Sequence, residues 1–150
     1  MNRKFQFIRL LSKTHGYIYR FSRGKIGNRL GTLEILLLTT TGRITGRPRS
    51  VPLLAIPYGD NYVLVASFGG SPVNPNWFEN IKQSPYVLIR VGPIVKRAKA
   101  SVIEPTDADY ERLWGAATTI YDGFNHYKRL TLRPIPVVLI EPDEVRSLRR

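Results

Sequence analysis

Three short runs in this 150-residue chain carry residue types that can do chemistry. The first, residues 39–53, reads TTTGRITGRPRSVPL: Gly42 and Gly46 bracket a loop bearing Arg43, Arg47 and Arg49 among the hydroxyls of Thr45 and Ser50. Glycine lets backbone N–H groups form a concave nest for an anion, and a guanidinium adds planar, two-pronged recognition of phosphate or carboxylate. An ordinary hairpin with solvated arginines accounts for the same composition equally well. The second run, Ala66-Ser67-Phe68-Gly69-Gly70, ends a candidate strand. Its glycines let a flat ligand approach backbone and Ser67 could donate a hydrogen bond to it; the plainer reading is a glycine-rich turn. The third run, residues 74–80, offers Trp77 and Phe78 as core anchors or ligand contacts, with the amide of Asn80 available to hold a ligand tail.

Other chemistries are excluded by what is missing. The chain has no cysteine, which removes disulfides, thiolate nucleophiles, iron–sulfur clusters and cysteine-bound zinc, and it has only two histidines, His15 and His126. No HExxH, EF-hand loop, Walker A or GxGxxG motif occurs. The apolar runs are too short for a membrane span, and no uncharged stretch follows the basic N-terminus as a signal peptide would require. Net charge is +12 and is unevenly spread: residues 1–49 hold eleven Lys/Arg against the single acid Glu34, residues 51–150 twelve against ten. Such a field attracts nucleic acid, a lipid surface or a polyanionic small molecule. Aromatic and basic residues do not alternate along any one strand, so nucleic acid is not the expected partner.

The elements that must position these runs follow from periodicity. Residues 3–23 read as a basic amphipathic helix, with Phe7, Leu10, Leu11, Thr14, Tyr17, Ile18 and Phe21 on one face and Arg9, Lys13, Arg20 and Arg23 on the other. Docking of the apolar face on the domain is the commoner fate of such helices; contact with anionic lipid is the alternative. Residues 35–41, 50–56 and 62–67 read as strands, the second placed at an edge or bulge by Pro52, with a hairpin turn at Gly59-Asp60-Asn61. An irregular loop over 69–75 leads to a short helix at 76–83, a hairpin of 86–91 and 94–103 around Gly92-Pro93, a helix opened by a capping box at Thr106–Asp109 and running to Ile120, and a last strand at 135–140. Tyr121, Phe124 and Tyr127 recur at helical spacing, as core residues would. About six hairpin-linked strands with late helices predict an α+β antiparallel barrel carrying peripheral helices, not a doubly wound parallel sheet.

Taken in order and spacing, TTTGRITGRPRSVPL, VASFGG, NPNWFENIKQSP and IPVVLIEP resemble the deazaflavin (coenzyme F420)-dependent nitroreductase and quinone reductase family over about residues 33–142. The resemblance implies a split β-barrel related to flavin-binding barrels, with residues 1–31 as the N-terminal basic helix and 32–150 as the deazaflavin-binding domain. It implies that the coenzyme, a flat deazaflavin with a phosphate and an anionic oligoglutamate tail, meets Arg43, Ile44, Thr45, Arg47, Arg49, Ser50, Val51, Pro52, Leu53 and Leu54. The stretches Val65, Ala66, Ser67, Phe68 and Asn76, Trp77, Phe78, Asn80, together with Phe124, complete that set. The resemblance further implies hydride transfer from the deazaflavin to a quinone, nitro compound or similar electron-poor acceptor, with Ser67, Tyr121 and Tyr127 expected on the catalytic side. No metal is implied.

Four positions depart from the family pattern. Lysine is common there where this chain has Ile44 and Phe68, and tyrosine where it has Phe124; Arg47 stands at a position that is often uncharged. A split-barrel enzyme using FMN, or a non-catalytic carrier of coenzyme or lipid, is the rival expectation. The expected location is the cytoplasm, with the N-terminal helix available for peripheral contact at the inner face of the cell membrane.

Overall fold

The computed structural model describes residues 14–16, 18–19, 22–24, 27 and 29–144. Its strands are β1 (Arg29–Leu30), β2 (Leu33–Thr41), β3 (Pro48–Leu54), β4 (Ile56–Tyr58), β5 (Asn61–Val65), β6 (Tyr86–Val91), β7 (Ile94–Ile103) and β8 (Val137–Pro142). A 3₁₀ turn at Phe68–Gly70 and helix α1 (Asn76–Gln83) follow β5, and α2 (Tyr110–Ile120) and α3 (Gly123–Arg129) separate β7 from β8. Every pairing is antiparallel, in the order β1-β2-β6-β7-β8-β5-β4, with β3 on the other side of β2. The stretch 48–58 therefore pairs with β2 in its first part and with β5 in its last. It turns a corner at Ala55, whose N–H donates to the Glu34 carbonyl at 2.9 Å, and joins the two ends of the sheet into a split barrel. Sequence reading made residues 50–56 one strand with Pro52 at an edge or bulge; the region is two strands, and β3 is an edge paired only with β2.

Strand β2 is an apolar run, buried at four consecutive positions, because both of its faces are covered. Leu36 and Leu38 point into the barrel with Leu64, Ala66, Val87, Ile89, Val138 and Ile140, and α1 adds Trp77, Phe78 and Ile81 to that core. Ile35 and Leu37 pack outward against Tyr19. Strand β5 behaves alike: Leu64 faces the barrel while Val63 and Val65 lie under α2 and α3 with Tyr110, Leu113, Trp114 and Phe124. Two helices are tied across this second core by Trp114 Nε1, which donates to Asn125 Oδ1 at 2.9 Å.

Two local expectations are corrected. Helix α2 starts at Tyr110, with no side-chain cap from Asp109; Asp107 Oδ2 instead accepts from the Glu104 N–H at 2.6 Å, so residues 104–109 form a turn that competes with the capping box. In the N-terminal segment, Thr14–Gly16 and Ile18–Tyr19 are helical, but Gly16 and Tyr19 are buried whereas Thr14 and Ile18, members of the expected docking face, are exposed. Phe7, Leu10, Leu11, Tyr17 and Phe21 lie outside the described residues.

Tyr19 shows what anchors this segment. Its side chain is fully buried, its Oη lies 3.0 Å from the Ile35 carbonyl and 3.1 Å from that of Arg90, and it accepts from the Gly92 N–H at 3.0 Å. Burial pushes the phenol's pKa up, so it stays neutral. Tyr19→Phe removes the partner of a buried N–H and is expected to lower unfolding free energy by about 1–3 kcal/mol in urea titration.

Candidate functional site

The loop between β2 and β3 is shaped by its own backbone and seated by one buried amide. Gly42 N–H donates to the Arg47 carbonyl and Gly46 N–H to the Gly42 carbonyl, both at 2.8 Å. Asn80 on α1, only 3% exposed, accepts through Oδ1 from the Arg43 backbone N–H (3.1 Å) and Nη1 (3.0 Å), and its Nδ2 donates to Thr40 Oγ1 at 3.0 Å. Arg43 Nη2 extends the contact to Asn76 Oδ1 at 3.3 Å. The Asn80 amide thus binds the loop itself rather than standing ready for a ligand tail, and it aims Arg43 along α1. Arg49 and Ser50 follow on β3, both exposed, opposite Thr40 and Thr39.

The run after β5 folds into a left-handed turn. Phe68 has φ 44°, Gly69 61° and Gly70 81°. A non-glycine residue in this region is strained, and such strain persists only where the surroundings over-determine it. Gly70 is needed for packing as well: a Cβ there would lie 2.8 Å from Leu130 Cβ and 3.0 Å from the Tyr127 carbonyl oxygen. The turn therefore rests directly on the end of α3. Strand alternation decides which side chains face which way: Ala66, with Leu64, belongs to the barrel core, while Val65 and Ser67 face away from it.

Helix α3 brings the tyrosines together. The Tyr121 and Tyr127 hydroxyls are 3.1 Å apart, and burial, reinforced by this contact, pushes the Tyr127 pKa up to about 12. Phe124, buried, meets Tyr121 edge-on at 5.1 Å and Tyr127 at 6.4 Å. A Cβ on Gly123 would fall 2.3 Å from Tyr121 Cζ, so only glycine lets the Tyr121 ring fold back over the start of α3.

These three pieces open on one cavity of about 850 Å³. Arg43, Thr45, Arg49, Ser50, Asn76 and Asn80 give it a polar, cationic lining; Val51, Pro52, Leu53, Leu54, Val65 and Trp77 give it apolar walls; Ser67, Phe68, Tyr121, Phe124 and Tyr127 complete it. Ile44 is on the lining and 87% exposed. Three residues of the expected set are not on the lining: Ala66 and Phe78, which are buried in the barrel core, and Arg47, which is exposed. Phe78 is excluded by helical geometry, since its neighbour Trp77 takes the cavity-facing position. The cavity also uses Leu33, Ile35, Thr40, Gly42, Gly69, Val73, Asn74 and Pro75, which sequence reading did not single out one by one; Asn74 and Pro75 lie in the NPNW run that signalled the region.

Comparison with known proteins identifies one family and one fold. The family model described as F420H(2)-dependent quinone reductase matches residues 11–142. An F420H(2)-dependent quinone reductase of Mycobacterium tuberculosis (strain ATCC 25618 / H37Rv) is 42% identical over 132 residues, 87% of this chain and 89% of that one. A solved F420-H2 dependent reductase superposes with TM-score 0.63 at 36% identity, covering 71% of this chain and 93% of that chain. The heme storage protein HutZ of Vibrio cholerae shares the fold at 14% identity, with TM-score 0.57 over 85% of this chain and 89% of that chain. Sequence match, relative and solved neighbour thus converge, and the chain belongs to the F420H2-dependent quinone reductase family of oxidoreductases.

Proposed function

We propose that this cavity holds reduced coenzyme F420 and a quinone together, with Arg43 and Arg49 facing the coenzyme's anionic groups and the α3 tyrosines facing the acceptor. One observation carries the reading: the cationic loop, the apolar β3 wall, the Ser67–Gly70 turn and the tyrosine pair all open on the same 850 Å³ space. The lining suits the coenzyme's chemistry. A flat ring needs apolar walls with a few placed polar groups, which Val51–Leu54 and Trp77 with Ser67 supply, and phosphate and carboxylates need guanidinium groups, which Arg43 and Arg49 supply. Ile44 and Phe68 add apolar surface at positions where the resemblance leads one to expect lysine, which leaves anion binding to the arginines.

When bound, the coenzyme supplies a hydride, so the protein's task is position and electrostatics. Ser67 offers its hydroxyl to the negative charge that develops on the acceptor oxygen. Tyr127 keeps its proton at neutral pH, because burial holds its pKa near 12, and so serves as a hydrogen-bond donor. Tyr121, 3.1 Å away, is placed to exchange that proton with it. Phe124 cannot hydrogen-bond and packs its ring against both tyrosine rings as an apolar support for the pair.

The reading places the enzyme in the cytoplasm with its N-terminal helix against the inner membrane face, where a lipid-dissolved quinone is at hand. Support comes from the eleven cations and one acid of residues 1–49, and from Ile18, which is 47% exposed although Tyr19 beside it is fully buried. No helix among the described residues is long and apolar enough to cross a membrane.

Four outcomes are expected. Arg49→Ala should weaken coenzyme binding by about 1.5–3 kcal/mol in fluorescence titration, as expected for a charged hydrogen bond, with little change in melting temperature because the side chain is exposed; unchanged affinity would return the loop to an ordinary hairpin. Tyr127→Phe should lower kcat about 10–100-fold while leaving coenzyme affinity within about twofold. The parent's rate should show no loss from tyrosine ionisation below about pH 10; since the folded pKa lies above the unfolded value of 10.0, the stability this group contributes is complete below pH 10 and is lost as pH rises toward 12. Vesicle sedimentation should show stronger binding to anionic than to neutral lipid, weakened by salt and by Ile18→Asp. Equal binding to both lipids would remove the membrane from the reading.

A further inference from the structure

The link between α3 and β8 contains a side chain that the functional reading does not yet use. The Arg133 guanidinium reaches back across nine residues of the loop after β5. Its Nη2 donates to the carbonyls of Ala66 (3.0 Å) and Ser67 (2.8 Å), and its Nε donates to that of Ser71 (2.7 Å). Its Nη1 donates to Asn74 Oδ1 (2.9 Å) and to the Pro134 carbonyl (3.2 Å). A guanidinium has five N–H donors in a rigid fork, and here five contacts engage them. The acceptors are carbonyl and amide oxygens, not a carboxylate, so the cation is held by dipoles. Half-burial lowers the pKa of the group, yet a guanidinium stays charged throughout the working range.

Where these bonds fall matters more than their number. They bracket the left-handed stretch Phe68–Gly70, with anchors on both sides of it at Ala66–Ser67 and Ser71–Asn74. The turn's other side rests on α3, through the contact of Gly70 with Leu130 and the Tyr127 carbonyl. Ser67 and Phe68 on the turn, and Tyr121 and Tyr127 on or beside α3, line the same cavity. One guanidinium thus ties the wall that bears Ser67 and Phe68 to the chain segment that leaves the tyrosine helix.

We infer that Arg133 is a positioning residue for hydride transfer: it holds the Ser67–Gly70 turn against α3 and so fixes the coenzyme-facing wall relative to the tyrosine pair. This rests on the reading that the cavity holds coenzyme and acceptor together. Hydride transfer needs the reacting atoms within a narrow range of separation, and displacement by about 1 Å costs on the order of a hundredfold in rate. Lysine cannot replace the fork, because one ammonium cannot reach acceptors spread from Ala66 to Asn74.

The test compares full-length Arg133→Lys and Arg133→Gln with the parent, and Arg129→Gln, an exposed change on α3, serves as control. Coenzyme affinity is read by fluorescence titration, fold by melting of the coenzyme-free protein, and the chemical step by the primary deuterium isotope effect with coenzyme labelled at the transferring carbon. The expected result is a folded Arg133→Lys that melts within about 5 °C of the parent, binds coenzyme about tenfold more weakly and loses tenfold or more in kcat. Its quinone KM stays within about twofold, and its isotope effect rises because the chemical step becomes limiting. A folded variant with parental coenzyme affinity and isotope effect overturns the inference, whatever its melting temperature. Failure of both variants to fold also overturns it, by making Arg133 a residue of the fold alone. If the parent does not bind the coenzyme, the deazaflavin reading fails first and this inference falls with it.

Discussion

Neither face of β2 or β5 can be left to water, and the architecture follows from that constraint. Leu36 and Leu38 on one side and Ile35 and Leu37 on the other demand two separate covers; Leu64 against Val63 and Val65 demands the same. Closing the sheet into a barrel buries the first set. The N-terminal segment, through Tyr19, and the α2–α3 pair bury the others. At about 25 cal/mol per Å² of apolar area removed from water, such covers are strongly favoured. The cover is incomplete along β3, where Val51–Leu54 are only half-buried and line the cavity. The cavity is thus the uncovered part of an apolar barrel wall, a surface that suits the flat ring system of the proposed reading.

Polar groups are used sparingly and mostly to hold backbone. Asn80 spends its amide on the Arg43 loop and Thr40, and Arg133 spends its guanidinium on the carbonyls around Phe68. Both are internal fasteners for segments that regular hydrogen-bond ladders cannot hold, since the loops have left the sheet. Cationic character at the cavity then comes from Arg43, already oriented by Asn80 and Asn76, and from the exposed Arg49.

This economy fits a reaction whose hard step belongs to the coenzyme. A chain with two histidines and no cysteine would be poorly equipped for general acid–base or nucleophilic work, but hydride transfer asks for geometry and a stabilised acceptor charge. In the proposed reading the tyrosine pair meets the second need: Tyr127, held neutral by burial and in contact with the Tyr121 hydroxyl, is a hydrogen-bond donor across the whole physiological pH range. Gly123 makes the pair possible by leaving room for the Tyr121 ring, so one absent methyl group shapes the tyrosine side of the cavity as much as any side chain present.

Much of this was legible in the residues before folding. Apolar runs and turn residues marked the hairpin of β6 and β7 and helix α1 to their ends, because these elements are set by local periodicity and by prolines and glycines at their borders. The glycine-bounded arginine loop, the SFGG turn and the NPNW run identified the family, and with it the coenzyme. Other features depend on contacts between distant segments, which no local pattern encodes. The break at Ala55 arises because one extended stretch must serve both ends of a closing sheet. The late start of α2 reflects a local competition that Asp107 wins by bonding the Glu104 N–H. The inward turn of Tyr19 rather than Ile18 is decided by acceptors and a donor that β2 and the β6–β7 hairpin present. The roles of Asn80 and Arg133 were equally hidden, since a side chain's partners 37 and 66 residues away exist only once the barrel has closed. Sequence alone determined which chemistry the chain serves; the tertiary structure decided which side chains face the cavity and which ones hold its walls in place.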